Sequence, residues 1–186
     1  MIIVFMSLKL IFSGSTNISF NFLKFLKFKK VIFKFLFIGT DYNLNFNILK
    51  IFCFKKNLIF FQFKNIFFYN NNLKYNIYLY IKIKKINFNI SIILDYWMIF
   101  SIFILRLPLY GFFNFHSSIL PFYKGFSPKI YIFYNKNLNF GISLIIISLY
   151  IDLGFLIFYL KFLNFFYIFY FFIFNIFYLK IFFFFF

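Results

Sequence analysis

Asn114-Phe115-His116-Ser117-Ser118-Ile119-Leu120-Pro121-Phe122-Tyr123-Lys124-Gly125-Phe126-Ser127-Pro128, then the apolar run 141–150 and Asp152-Leu153-Gly154, is the stretch on which the fold turns. His116 is the only histidine, and Asp152 is one of three acidic residues, none of them Glu. Residues 112–115 read as a strand that delivers Asn114 and His116 at or near its C-terminal end. A period of two puts these two side chains on one face. Pro128 is tolerated in the first turn of a short helix reaching Tyr134. The run 141–150 is the longest continuous strand candidate, and Asp152 lies just beyond it.

Working outward, 8–12 is a short apolar run that ends at Ser13-Gly14-Ser15-Thr16-Asn17, a buried strand and a tight turn. Thr16 or Asn17 can cap a helix, along which Phe20, Leu23 and Leu26 recur at helical spacing. A second strand is expected over 31–38, stopped by Gly39. Residues 50–61 hold a short helical piece and then a third apolar run at 58–61. A polar break at 69–72 and a loosely alternating 79–85 precede a strand at 89–94 and a turn at 107–111. Strands alternating with helices predict an α/β fold with a mostly parallel central sheet. Ligands of such sheets sit beyond the carboxyl ends of the strands.

The composition sets how these signals are weighed. The 186 residues suffice for one domain. Phe alone fills 42 positions, aromatics make up 31%, and Ala is absent. The enriched residues have A- and T-rich codons, which implies a mutational bias of the kind found in a reduced genome. A retained Gly, Pro, His or Asp therefore carries more information than a Phe, Ile or Lys. The net charge of +17 comes from basic residues that are all Lys except Arg106, so it does not by itself demand a polyanionic partner. The single Cys53 excludes an internal disulfide and any multi-cysteine metal site, and reads as buried and structural.

A mean hydropathy of +0.91 and the uncharged run 162–179 raise a second class, a small membrane protein. Against it, Lys24, Lys27, Lys29, Lys30 and Lys34 interrupt the apolar runs, and the aromatics do not gather in interfacial belts. The N-terminus has no basic region and no Ala-type cleavage site. The favoured reading is a cytoplasmic protein with a folded part over 1–160 and a Phe-rich hydrophobic tail over 161–186, membrane association being disfavoured.

Asn114, His116 and Asp152 form a three-part polar cluster. An imidazolium and an amide N–H stabilise an oxyanion on a carbonyl carbon under attack, and a carboxylate beside the imidazole orients it. No Ser or Cys in this motif stands in an activated arrangement, so direct transfer between two bound substrates fits better than a covalent intermediate. One His and one Asp cannot supply three protein ligands, so no metal is expected.

At these residues the chain resembles the formyltransferase family. Residues 114–128 are similar to its pattern N-x-H-x-S-L-L-P-x-x-R-G-x-x-P, and the match continues without a gap through Gly141 to Asp152 and Gly154. Leu8-Lys9-Leu10-Ile11-Phe12-Ser13-Gly14-Ser15 is similar to the family's opening strand, Asn57-Leu58-Ile59-Phe60-Phe61-Gln62 to its G-L-P-V-F-Q, and Asp95-Tyr96-Trp97-Met98-Ile99 to its A-Y-G-x-I. The likeness covers about 6–160 and is strongest over 111–154.

The resemblance implies a Rossmann-like formyltransferase domain, with 10-formyltetrahydrofolate as formyl donor and no metal. Lys124-Gly125 followed by Pro128 favours the branch that formylates methionyl initiator tRNA for translation initiation. The alternative branch acts on glycinamide ribonucleotide in purine synthesis. By resemblance, Asn114 bonds the formyl oxygen, His116 stabilises the tetrahedral intermediate, and Asp152 supports His116. Ser118, Ile119, Leu120 and Pro121 border the folate, and Tyr96, Trp97, Met98 and Ile99 line the pterin pocket. Gly14 and Lys124 are assigned to the acceptor. A monomer without an obligatory protein partner is expected.

Departures from the family pattern bear on tRNA binding more than on formyl chemistry. Leu153, Phe155 and Lys136 replace usual residues, and no Lys or Arg stands between Lys34 and Lys50, where a basic loop is expected. The separate C-terminal barrel of the tRNA branch is expected to be absent.

Overall fold

A computed structural model describes residues 9–28, 33–39, 48–63, 80–81, 83–96, 100–125, 127–135, 140–148 and 152–162. The chain divides into two compact units, Met1–Phe112 and Phe113–Phe186.

The first unit alternates strand and helix as the apolar runs predict. Strands β1 (Leu10–Gly14), β2 (Phe33–Gly39), β3 (Phe60–Phe63) and β4 (Ile90–Leu94) lie in the order β3-β2-β1-β4. Every pair among them is parallel. All residues of β1 and β4 are buried, as expected of parallel strands covered on both faces. Helix α1 (Asn17–Phe28) turns Phe22, Leu23 and Leu26 inward, and α2 (Ile48–Lys55) turns Leu49 and Cys53 inward. Phe22 stacks on Phe12 of β1 at 5.8 Å between ring centroids. A strand order that starts in the middle and winds outward, with helical crossovers, is the Rossmann arrangement.

Of the two candidate caps, Thr16 is the one used. Its Oγ1 accepts the Ser19 N–H at 3.3 Å, and the Ser19 Oγ accepts the Thr16 N–H at 3.3 Å. This reciprocal pair is a capping box with Ser in the usual Glu position. Gly14 makes the turn possible by its size: a Cβ there would overlap the Ser19 side chain. Ser19 is held in turn by donating to the Leu94 carbonyl at 2.6 Å, which ties the α1 start to the end of β4.

Cys53 is fully buried, in accord with its structural reading. Burial pushes its thiol from 9.0 up to about 12. The folded state thus favours the protonated thiol. That contribution to stability is complete below 9.0 and declines as pH rises from 9.0 to about 12. At about pH 8 the native protein is expected to resist maleimide labelling that denatured protein undergoes readily, since the thiolate is the nucleophile. Mass spectrometry after timed labelling checks this.

The first unit departs from the sequence reading in two places. Helix α3 (Ile102–Leu105) follows β4 where no helix was expected, and residues 80–81 and 83–84, loosely alternating in sequence, are helical. Residues 31–32 of the second expected strand and the 69–72 break lie outside the described residues.

The second unit holds β5 (Phe112–His116, its first residue counted with the first unit), α4 (Pro128–Tyr134), β6 (Phe140–Ile146) and β7 (Phe155–Phe162). β5 pairs antiparallel with β6, and β6 antiparallel with β7. The parallel pairs still outnumber these, so the α/β reading with mostly parallel strands holds. β6 ends at Ile146 rather than continuing through 150, and β7 was not foreseen. The link 147–154 is too short for a parallel crossover, which needs a dozen or more residues. β7 also runs to Phe162, past residue 160.

Among the described residues no helix is long and apolar enough to cross a membrane. Residues 163–179 of the uncharged run lie outside them.

Candidate active site

β5 presents Asn114 and His116 on the same face, opposite Ile145 and Ser143 of β6. Asn114 is half-buried and His116 is buried. Asp152 stands in the β6–β7 link with a φ of 51°, a left-handed conformation that a short polar side chain tolerates better than most. Its Oδ2 lies 3.5 Å from His116 Nδ1, and both side chains are nearly buried, at 7% and 9% exposure. Scarce water strengthens the attraction between such groups relative to a surface pair.

The same carboxylate oxygen accepts the Gly125 N–H at 2.6 Å. Gly125 has a φ of +91°, which glycine adopts without steric cost. On the other edge of the ring, His116 Nε2 lies 2.9 Å from the Tyr123 carbonyl oxygen. A carbonyl only accepts, so Nε2 carries the hydrogen and donates it. The imidazole is therefore anchored at Nε2, with Nδ1 turned toward Asp152. The 3.5 Å separation at Nδ1 is longer than a tight hydrogen bond.

The loop leaving β5 is pinned from inside. Ser118, Ile119 and Leu120 are buried, whereas Pro121 is exposed and follows a cis peptide bond. Ser118 Oγ donates to the Phe122 carbonyl at 2.7 Å. Ser143 Oγ donates to the Ser118 carbonyl at 2.8 Å and accepts the Leu120 N–H at 2.9 Å. Lys124 is exposed. Gly14 and Tyr96 belong to the first unit, where Tyr96 stacks on Phe100 at 5.2 Å between centroids. Trp97, Met98 and Ile99 lie outside the described residues.

The spacing of rare residues thus points to His116 and Asp152, which meet. It does not reveal the Tyr123 carbonyl, the Gly125 N–H or the Ser143 hydroxyl. Backbone groups carry no residue signature. Ser143 did offer a signal, as the one hydroxyl between Gly141 and Ile147. Among the described residues no three His, Cys, Asp or Glu side chains cluster as metal ligands do.

No protein-family model matches the sequence, and no curated protein matches it. Solved structures do match the fold. The phosphoribosylglycinamide formyltransferase of Streptococcus pneumoniae TIGR4 aligns with a TM-score of 0.69 at 14% identity, covering 85% of this chain and 83% of that one. The enzyme of that name from Bacillus halodurans aligns at 0.68 and 12%, covering 83% and 80%. That of Campylobacter jejuni subsp. jejuni NCTC 11168 aligns at 0.61 and 24%, covering 84% and 81%. At these identities the likeness establishes the fold, Rossmann-like and of the formyltransferase type.

Proposed function

We propose that this chain is a cytoplasmic formyltransferase that moves a formyl group from 10-formyltetrahydrofolate to the amino group of glycinamide ribonucleotide. The observation that carries the reading is the anchored His116 beside Asp152, one strand position pair from Asn114, on a fold shared with phosphoribosylglycinamide formyltransferases. The acceptor follows those structural neighbours, and so reverses the preference that Lys124-Gly125 and Pro128 suggested. Formylation of methionyl initiator tRNA remains the second reading, favoured by that short motif alone.

The chemistry needs little beyond the cluster. The acceptor nitrogen bonds to the formyl carbon, giving a tetrahedral intermediate with charge on its oxygen. Asn114 donates to that oxygen, while His116, its Nε2–H held by Tyr123, takes the amine proton at Nδ1 and as the imidazolium donates it toward the oxyanion and then N10. Asp152, 3.5 Å from Nδ1, fixes the orientation of the ring. The bond to N10 then breaks, the amine loses a proton, and N10 gains one.

Purified protein is expected to transfer formyl from the folate donor to glycinamide ribonucleotide at least about tenfold more efficiently than to methionyl-tRNA, judged by kcat/KM. Both acceptors are assayed side by side. Preference for the tRNA installs the second reading, and transfer to neither removes both.

A further inference from the structure

We infer that Ser118 is a positioning residue for His116, acting through the backbone carbonyl of Tyr123 rather than through a ligand. The Ser118 side chain is fully buried, and its hydroxyl points back into its own loop. Its single proton goes to the Phe122 carbonyl at 2.7 Å, with the Tyr123 carbonyl at 3.4 Å. That second oxygen is the one His116 Nε2 contacts at 2.9 Å. A hydroxyl on the loop thus binds one carbonyl and lies against the next, the Tyr123 oxygen to which the imidazole edge is tied.

Two further observations support this clamp. Tyr123 has a φ of 53°. For a bulky residue that conformation is strained and persists only where the surroundings over-determine it. The left-handed turn aims the Tyr123 carbonyl at His116, and the Ser118 hydroxyl lies 3.4 Å from the same oxygen. The second observation is that Ser118 is itself fixed. Ser143, fully buried on β6 and paired with His116 in the strand register, donates to the Ser118 carbonyl and accepts from Leu120 N–H. Two hydroxyls in series therefore connect β6 to the acceptor of His116 Nε2. The physical effect is on the tautomer. A well-placed acceptor at Nε2 keeps the proton there in the neutral ring and leaves Nδ1 for the reacting atoms.

Because His116 is the only histidine, its ring nitrogens give unambiguous signals in a 15N NMR spectrum of the full chain. Wild type is expected to show the Nε2–H form when neutral. Ser118→Ala is expected to shift the balance about fivefold toward Nδ1–H, the ratio one ordinary hydrogen bond supports. In the formyl-transfer assay, kcat should fall about tenfold with the donor KM within about twofold. Added to His116→Ala, the change should cost nothing further.

An unchanged tautomer in a folded Ser118→Ala protein overturns the clamp. Should that variant not fold, Ser143→Ala decides by the same spectrum, since it loosens the same loop from the other end; no shift there overturns it equally. The kinetic part rests on the formyl-transfer reading and the spectroscopic part does not. A shifted tautomer in a protein that transfers no formyl would sink that reading while leaving the clamp in place.

Discussion

His116→Ala is expected to lower kcat for formyl transfer about a thousandfold, with both KM values within a few-fold of wild type. One preorganised donor to a developing oxyanion contributes about 10²–10³ in rate, and a positioned acid–base group about 10²–10⁴. His116 serves both purposes, and no second histidine can replace it. The loss belongs in kcat because the contact strengthens only as charge develops on the formyl oxygen. Folding should survive, since the alanine leaves Asp152 with its Gly125 N–H partner. Steady-state kinetics with a circular dichroism control check the outcome. A variant that turns over at the wild-type rate removes His116 from the mechanism.

Gly141→Ala is expected to destabilise the fold by about 3 kcal/mol, the upper part of the ordinary overpacking range. A Cβ at Gly141 would overlap the Leu160 carbonyl oxygen of β7 and come within 2.7 Å of Ile119 Cγ1. Neither side can yield cheaply. The carbonyl belongs to the β6–β7 ladder, and Ile119 is buried in the loop that Ser143 pins. With total stabilities near 5–15 kcal/mol, such a loss is visible as a lower urea midpoint at unchanged slope. Gly125→Ala offers the contrast. Open space surrounds that position, so only the φ of +91° opposes a side chain there, and the cost should be about 1 kcal/mol. A Gly141 variant as stable as wild type would mean that β6 and β7 are not paired in this register.

The parts of the fold legible in the sequence are those whose residues face the same way whatever the rest of the chain does. Leu10–Gly14 and Ile90–Leu94 are buried on both faces, so their apolar runs read as parallel strands without further context. The Thr16 cap and the Pro128 start are local chemistry and fall where expected. Helix α3 has four residues, too few for a periodic signal. In β7, Phe155 and Tyr159 are exposed although apolar. A composition so rich in Phe hides the alternation that marks a half-exposed strand.

By itself the sequence determined the class of fold and singled out the rare His116 and Asp152, with Asn114 two positions before the histidine. It could do so because a retained His or Asp is conspicuous in a composition biased toward Phe, Ile, Lys, Asn and Tyr. Only the tertiary structure decided the direction of β6 and β7, because strand direction follows from how the connecting link closes in space. It also decided how His116 is held. The Tyr123 carbonyl and the Gly125 N–H belong to the main chain that every residue shares, and they become specific only when the backbone turns to present them.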